Sequence, residues 1–482
     1  MSNVFPRLIT SPPIKAVSSE GCYITDTNGK KYFDGSGGAA VSCLGHGDPE
    51  IINAIQDQAA TLAFAHTGFF TSDPAEELSE LLITHAPGDI DRVYFVSGGS
   101  EAVEAALKLA RQYHIENGEP DRQHIIARRQ SYHGNTLGAL STGGNQLRRK
   151  KFEPLLINVS HISPCYEYID REEHESAYEY GQRVAQELED EILRLGSKKV
   201  MAFVAEPVVG ATMGAVPAVD GYFKRIEEIC KKYGVLLILD EVMCGMGRTG
   251  HLFAAEIDNI SQDIVCIAKG LGAGYQPIGA MLCTKKIFET IRTGSGLFQH
   301  GHTYIGHPVA CAAALAVVRA ILNRDLLKSI NRRSEDLFKK LRDQFTDHQY
   351  IGDIRGKGLF IGLEIVKNRS QKKPFDPSAK VSAKIKHAAF QAGLICYPSN
   401  GTRDGKYGDH ILLAPPFIIN ENHISEMVDK LSIAINTILK NVYFTRLENK
   451  QNNFINAYNI TLAGAEGLEP TTLGFGDRCS TN

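Results

Sequence analysis

The sequence lacks paired cysteines, an excess of positive charge and long apolar runs. Its ten cysteines stand singly with no C-x-x-C spacing, so we expect small buried thiols in a reducing compartment, not a disulfide framework. A net charge of −3 gives no positive field to attract nucleic acid or an anionic membrane. The N-terminal residues contain no apolar run, so we expect neither a signal peptide nor a membrane-spanning stretch. The sequence therefore predicts a cytoplasmic protein without nucleic-acid or membrane partners.

A chain of 482 residues is too long for one simple core, and its pattern predicts four parts. Residues 1–55 form an arm and a hairpin, with its turn at Asn28-Gly29, that belong to a small domain. Residues 56–307 form a large domain, and residues 308–445 form the C-terminal small domain. Residues 446–482 lose periodicity and are expected to be a mobile tail.

Apolar strands alternate with helices through the middle of the chain. This alternation predicts an α/β fold with a mostly parallel sheet covered by helices on both faces, followed by a smaller α+β domain. The strands of the large domain are predicted at Arg92–Val96, Ile125–Ala127, Ala202–Ala205, Leu236–Asp240, Ile264–Ala268 and Gly279–Cys283. The main helices are predicted at Glu101–His114, Tyr178–Leu195, Gly221–Tyr233, Pro308–Leu322, Leu326–Phe345 and Lys380–Ala392, with later strands at Leu359–Ile365 and Ile411–Leu413.

The stretch ILDEVMCGMGRTG contains Gly245, Gly247 and Gly250 in the spacing of a dinucleotide-binding loop. In a dinucleotide site, however, the acid that holds the ribose ends the following strand. Here Asp240 ends the strand before the glycines, and the next strand leads into Lys269. The nucleotide interpretation is therefore disfavoured.

Asp240 and Lys269 are predicted to stand near each other, because open α/β sheets gather their ligands at the carboxyl ends of the strands. A lysine amine can form a Schiff base with pyridoxal 5′-phosphate (PLP), and a carboxylate can keep the pyridine nitrogen of PLP protonated. The alternative for these two residues is a structural ion pair.

A strand, a glycine-rich turn and a helix follow one another at VYFVSGGSEAVEAALKLAR. Gly99 and Ser100 lie at the predicted helix N-terminus, where backbone N–H groups and the helix dipole favour a phosphate. Ser100 also fits a helix N-cap, which is compatible with that role. Tyr132, in SYHGN, can cover one face of a flat cofactor ring, although Tyr132 and His133 also fit core or surface positions.

Three further polar stretches have less specific patterns. Glu206, in AEP, adds a carboxylate at a strand end, or forms a surface ion pair. The loop from His300 to His307 lacks the spacing of a zinc site, and we expect no metal. The basic run Arg148-Arg149-Lys150-Lys151 is expected to be solvated surface.

From Tyr23 to Lys440 the chain resembles the class III, or omega, aminotransferases of PLP fold type I. The motifs that carry the resemblance occur in the order of that family: SGGSEA, SYHG, AEP, LILDEV…GMGRTG, IAKGLGAG, HGHTYIGHP and YGDHILLAPPF.

The resemblance implies a role for each motif residue. Lys269 holds PLP as a Schiff base, Asp240 bonds the pyridine nitrogen, Val242 and Tyr132 pack on the ring with His133 beside it, and Gly99 and Ser100 hold the phosphate. Glu206 lies near the cofactor hydroxyl or a substrate-gating arginine, and Thr303 reaches the phosphate of a second subunit. The implied assembly is a homodimer or a dimer of dimers.

The family's mobile, carboxylate-binding arginine has no clear match here. In the family this arginine lies just before the strand that leads into PPF, and the candidates ahead of the predicted strand Ile411–Leu413 are Arg403 and Lys406. Arg403 is favoured because guanidinium pairs with carboxylate through two hydrogen bonds. A solvated loop arginine is the alternative.

The sequence thus predicts a PLP-dependent aminotransferase that moves an amino group from an amine or amino acid, of omega or beta type, to a keto acid such as pyruvate. A decarboxylase, racemase or aminomutase could use the same residues, because the bond that breaks depends on substrate orientation. A non-catalytic interaction protein is the third hypothesis, and the intact Asp240 and Lys269 argue against it.

Overall fold

The described part of the chain folds into a large mixed sheet, two four-stranded sheets, a two-stranded sheet and the helices that cover them. A computed structural model describes residues 3–11 and 13–439, and the tail predicted at 446–482 lies outside them. The strands are β1 (Ala16–Glu20), β2 (Tyr23–Asp26), β3 (Lys31–Asp34), β4 (Ile90–Val96), β5 (His124–Arg128), β6 (Ser160–Ile162), β7 (Val200–Ala205), β8 (Val208–Val209), β9 (Val216–Pro217), β10 (Leu236–Asp240), β11 (Ile264–Ile267), β12 (Gly279–Thr284), β13 (Ile351–Lys357), β14 (Phe360–Ile365), β15 (Leu394–Ile395), β16 (Tyr397–Asn400) and β17 (Asp409–Leu413).

The helices lie mainly between these strands. They are α1 (Gly37–Ala40), α2 (Pro49–Thr61), α3 (Asp73–His85), α4 (Gly99–Glu116), α5 (Leu137–Thr142), α6 (Gln146–Arg149), α7 (Glu167–Asp170), α8 (Ala177–Leu195), α9 (Tyr222–Tyr233), α10 (Lys285–Thr293), α11 (Pro308–Asn323), α12 (Leu326–Phe345), α13 (Val381–Gln391) and α14 (421–439). None of the helices described here is both long enough and apolar enough to span a bilayer.

The large sheet has seven strands in the order β4-β12-β11-β10-β7-β5-β6. Strand β12 runs in the direction opposite to that of the other six strands of this sheet. Every residue of β7, β10 and β11 is buried, as expected for parallel strands covered on both faces. The predicted α/β fold with a mostly parallel sheet is confirmed.

Strand direction brings five strand ends to one edge of this sheet. The carboxyl ends of β5, β7, β10 and β11 share an edge because these strands are parallel. Strand β4 is antiparallel to β12, which is antiparallel to β11, so β4 ends at the same edge. The loops that follow all five strands therefore meet there.

A second sheet, in the order β13-β14-β17-β16, is antiparallel and forms from the chain after Pro308. Strands β14 and β17 match the predicted strands, whereas β13 was not predicted. Its sequence, IGDIRGK, contains three charged residues and two glycines, so it carries little apolar alternation. Pairing with the buried β14 overrides this weak local preference.

The N-terminal hairpin pairs with a strand from the far end of the chain. Strands β2 and β3 form the predicted hairpin, with Gly29 in the left-handed region at φ +78°. Strand β3 also pairs in parallel with β15, so hairpin and C-terminal residues form one sheet. Helix α11 is apolar except for Arg319 and the terminal Asn323, and it packs against α2 and α3. The domain boundaries at residues 55, 307 and 445 stay a prediction.

Candidate active site

Polar residues follow four neighbouring strands at the shared sheet edge. Asp240 ends β10, Lys269 follows β11, Glu206 follows β7, and Tyr132 lies in the loop after β5. Together they line a cavity of about 550 Å³. The order β11-β10-β7-β5 places these side chains side by side although they are distant in sequence.

Glycines at one end of the cavity leave room around the N-terminus of α4. The helix begins at Gly99 behind Gly98, and no side chain caps its first N–H groups. A Cβ on Gly99 would lie 2.8 Å from Val242 Cγ1, and a Cβ on Gly134 would lie 2.6 Å from Ser100 Oγ. Uncapped helix N–H groups in a glycine-walled cavity suit an anion such as a phosphate.

Ser100 is held in place by Asn135. The Ser100 hydroxyl donates to Asn135 Oδ1 at 2.9 Å, and the backbone N–H of Asn135 donates to Ser100 Oγ at 3.0 Å. Asn135 also lines the cavity. The sequence motif SYHGN did not predict a role for Asn135, although its position directly after Gly134 places it at the cavity.

The carboxylate of Asp240 is fixed by two hydrogen bonds. His133 Nδ1 lies 2.8 Å from Asp240 Oδ2, and the backbone N–H of Val242 donates to Asp240 Oδ1 at 3.0 Å. Both His133 and Asp240 are buried. His133 Nε2 is also buried and has no hydrogen-bond partner in the part of the chain that the structure describes. The second hydrogen bond of His133 is thus free for a group that enters the cavity.

Lys269 has an unusual backbone conformation and a perturbed amine. Its φ of +45° lies in the left-handed region, which costs about 1–3 kcal/mol for a residue other than glycine. Burial lowers the pKa of the Lys269 amine, and the charges of Asp240 and Glu206 act in the opposite direction. A lowered pKa increases the neutral fraction of the amine, which is its nucleophilic form.

Glu206 is fully buried and organises the loop that carries Tyr132. Its Oε1 accepts the backbone N–H of Tyr132 at 3.1 Å, and its Oε2 accepts the N–H of Gly210 at 2.8 Å. Burial raises the pKa of the Glu206 carboxyl. Glu206 lines the same cavity as Asp240.

Glu241, directly after Asp240, has a different environment. Its carboxylate accepts the N–H groups of Ala254 at 2.5 Å and Ala255 at 2.9 Å. Burial raises the pKa of Glu241 to about 8. Glu241 does not line the cavity and ties the following segment to β10.

The glycines of GMGRTG also lie outside the cavity. Within this turn Arg248 is buried and donates to the carbonyls of Leu359 at 3.1 Å and Pro415 at 2.6 Å. A Cβ on Gly250 would lie 2.0 Å from Asn331 Oδ1. The turn therefore packs the large sheet against the C-terminal region.

Eight of the ten predicted site residues, including Lys269, line this cavity. They are Gly99, Ser100, Tyr132, His133, Glu206, Asp240, Val242 and Lys269. Thr303 is exposed and does not line it. Arg403 lies elsewhere, donates to the carbonyl of Lys372, and lines a separate cavity with Asp170 and Glu187.

Other residues that line the cavity were not predicted from the sequence. Val41 comes from the N-terminal segment, and residues 276–278 follow the turn that contains Lys269. Neither carries a chemical motif, so only three-dimensional proximity identifies them.

The residues present fit PLP. The cavity offers a lysine amine, a fixed carboxylate for a ring nitrogen and uncapped helix N–H groups for a phosphate, and the unpartnered His133 Nε2 provides one more polar contact. Over residues 3–11 and 13–439, no three His, Cys, Asp or Glu side chains are grouped so as to hold a metal ion. Fold and cavity together define a PLP-dependent enzyme of fold type I.

Comparison with known proteins gives the family. Residues 6–435 match the model of the class-III aminotransferases. An uncharacterized aminotransferase of Schizosaccharomyces pombe is 46% identical, over 88% of this chain and 94% of that protein. Gamma aminobutyrate transaminase 3, chloroplastic, of Solanum lycopersicum is 36% identical, over 88% of this chain and 80% of that protein. The omega transaminase of Pseudomonas jessenii, solved in complex with PMP, is 31% identical with a TM-score of 0.85, and the match covers 91% of this chain and 97% of that one.

The chain therefore belongs to the class-III aminotransferases, and it is a PLP-dependent aminotransferase. The sequence-based predictions of family, reaction class and cofactor are confirmed.

Proposed function

We propose that the enzyme takes an amino group from an amine or an amino acid of omega or beta type and passes it to a keto acid such as pyruvate. The observation that carries the proposal is the single cavity shared by Lys269, Asp240 and the N-terminus of α4. The relatives named as a gamma aminobutyrate transaminase and an omega transaminase support the donor class.

Each of these cavity residues then has a role in binding the cofactor or in moving a proton. Bound PLP supplies an electron-withdrawing ring that stabilises negative charge on the substrate carbon as its proton leaves. Lys269 would hold the cofactor covalently through its amine, and the same amine, once free, would carry the proton away from the substrate carbon. Asp240, held by His133, keeps the pyridine nitrogen protonated.

The remaining residues hold the cofactor. Gly99 and Ser100 bind the phosphate at the helix N-terminus, where anions are favoured. Tyr132 and Val242 pack against the ring. Glu206 fixes the Tyr132 backbone and presents a carboxyl group near the cofactor hydroxyl.

We propose a homodimer or a dimer of dimers in which Thr303 completes the phosphate site of a second copy. Thr303 is exposed and lies outside the cavity of its own chain, which leaves it available to another chain. Exposed apolar side chains occur nearby in sequence at Leu297 and Tyr304, and Tyr304 contacts the partly exposed Phe64. Burying such a surface would stabilise an assembly.

Two further features stay predictions. Arg403 would need its loop, residues 401–408, to move before it could bind a substrate carboxylate. A cytoplasmic location is supported by nine free cysteines in the described part of the chain.

A donor panel tests the proposed function. Holoenzyme is mixed with single amino donors, and the loss of the bound PLP absorbance, the carbonyl product and CO₂ are measured. We expect a ketone or aldehyde without CO₂, and regeneration of the original spectrum by pyruvate. Release of CO₂ would identify a decarboxylase. Spectral change without a carbonyl product would indicate a racemase or an aminomutase.

A further inference from the structure

A second cavity adjoins the one that contains Lys269. Its volume is about 970 Å³, and it shares Tyr132, Gly134 and Asn135 with the first cavity. A molecule that reaches Lys269 from this side therefore passes the Tyr132 ring.

The second cavity carries positive charge. Arg7, Arg148, Lys151 and Lys386 line it, and its described lining includes no aspartate or glutamate. The other lining groups include neutral amides and hydroxyls, such as those of Asn145 and Thr212. Four cations without a carboxylate form a local positive field in a chain with a net charge of −3.

Arg148 lines the second cavity and lies against Tyr132, which lines both cavities. Its guanidinium carbon lies 4.4 Å from the centroid of the Tyr132 ring. Arg148 is half-buried, and no carboxylate lines the second cavity around it among the described residues. The Asn145 side chain accepts the backbone N–H of Arg148 at 3.2 Å, which fixes the start of this helical turn. The guanidinium is thus positioned but retains free donors.

The side chain of the neighbouring Arg149 has different partners. Arg149 donates to the backbone carbonyls of Leu140 at 3.1 Å and Gly143 at 2.7 Å, so it braces the loop. Lys150 is exposed and lines neither cavity. The basic run was predicted to be solvated surface. That holds for the exposed Lys150 and Lys151, although Lys151 also lines the second cavity. It is wrong for Arg148 and Arg149, which are both half-buried.

We propose that Arg148 binds the carboxylate of the substrate while the amino or keto group reaches Lys269, with Lys151, Arg7 and Lys386 adding to the attraction. This inference rests on the proposed function and specifies its substrate class as one that carries a carboxylate. A planar guanidinium stacked on an aromatic ring can still donate two parallel hydrogen bonds to a carboxylate. The positive charge of Arg148 also helps to lower the pKa of Lys269, so its field extends to the reacting amine.

The test compares two donors that differ in the carboxylate, 4-aminobutanoate and butylamine. The wild-type holoenzyme and the Arg148→Gln, Arg148→Lys and Lys150→Gln variants are each assayed in the donor half-reaction. Lys150→Gln is the matched control, because it removes one positive charge from the adjacent, exposed position. We expect Arg148→Gln to lower kcat/KM for 4-aminobutanoate by about tenfold or more while butylamine changes little. Arg148→Lys should recover part of the loss.

Equal losses for both donors would overturn the inference and make Arg148 only a support for Tyr132. No loss for either donor, together with an unchanged KM for pyruvate, would overturn it as well. The pyruvate half-reaction distinguishes the source of the carboxylate. If only the KM for pyruvate rises in Arg148→Gln, the arginine binds the acceptor's carboxylate.

A binding measurement keeps this test separate from the proposed function. Sodium butanoate cannot react, and its binding is followed by the change it causes in the PLP absorbance of the holoenzyme. We expect weaker butanoate binding in Arg148→Gln and unchanged binding in Lys150→Gln; equal binding in both variants would contradict the role. If wild-type enzyme converts neither donor but butanoate binding still depends on Arg148, the proposed donor class fails and the carboxylate site stands.

Discussion

His133 and Asp240 form a buried pair in which His133 Nδ1 lies 2.8 Å from Asp240 Oδ2. The two residues are separated by 107 positions in sequence and meet because β5 and β10 end at the same sheet edge. The imidazole fixes the orientation of this buried carboxylate and, with the backbone N–H of Val242, replaces water contacts that the carboxylate loses on burial. We therefore propose that His133 acts on the cofactor through Asp240, in addition to any contact made by its free Nε2.

A double-mutant cycle measures this coupling. His133→Phe keeps an aromatic ring but removes the hydrogen bond, which is worth about 1.5–3 kcal/mol when one partner is charged. We expect kcat to fall by roughly 10- to 150-fold. Combined with Asp240→Asn, the loss should be clearly less than the sum of the two single losses in free energy. Additive losses would show that the two residues act independently.

The lowered pKa of Lys269 predicts a pH profile for cofactor capture by the apoenzyme. The neutral amine is the reactive form, so the capture rate should rise with pH through a midpoint below the ordinary lysine value of 10.5. The negative charge of Asp240 raises the pKa of Lys269, so Asp240→Asn should move the midpoint to lower pH. The exposed Asp190→Asn is the control and should leave it unchanged. Lys269→Ala should show no capture and no turnover; an upward shift in Asp240→Asn would contradict the assignment.

The glycine wall of the phosphate end predicts different outcomes at two positions. Gly134 has a φ of +143°, and an added Cβ would lie 2.6 Å from Ser100 Oγ, so Gly134→Ala should lower both Tm and PLP affinity. Gly98 has an extended backbone, and its Cβ would meet no protein atom within 4 Å. Gly98→Ala should therefore leave the Tm of the apoenzyme unchanged. Equal Tm values for the two variants would show that the Gly134 site can relax.

Glu241 predicts a pH dependence of stability. Its pKa is about 8 in the folded protein and 4.5 when unperturbed, so between these values the folded state binds more protons than the unfolded state. The free energy of unfolding should therefore decrease as pH rises from about 5 to 8, and Glu241 contributes at most about 1.4 kcal/mol per pH unit to this decrease. Glu241→Gln cannot titrate and should flatten the slope, measured by denaturant unfolding at each pH. The exposed Glu228→Gln is the control, and an unchanged slope in Glu241→Gln would count against the shifted pKa.

The role proposed for Thr303 predicts that each phosphate site contains residues from two subunits. Thr303→Val keeps the shape but removes the hydroxyl, and PLP affinity should fall by roughly 10- to 150-fold. In a mixed dimer with a Lys269→Ala chain, the one intact lysine lies beside a phosphate site completed by a normal threonine, so its PLP affinity should be near that of the wild type. Weakened affinity at that site would show that Thr303 serves its own chain. An active monomer in sedimentation would exclude sharing.

The sequence by itself determined the chemistry-bearing residues of the large sheet. Asp240 ends an apolar run that matches β10, and Lys269 follows another that matches β11. Such runs are local signals because a strand buried on both faces needs apolar residues at every position. The glycine turn before α4 is equally local, since it ends one strand and begins the helix.

Tertiary structure alone decided which distant residues join them. The pairing of His133 with Asp240 and the entry of Val41 into the cavity depend on strand order and loop packing, which periodicity does not encode. The same holds for the arginines. Arg403 was favoured by its place before β17 but lies in another cavity, whereas Arg148, in a run expected to be solvated, lies over Tyr132. An arginine has the same chemistry in either place, and only the folded chain determines which one lies beside the cavity that contains Lys269.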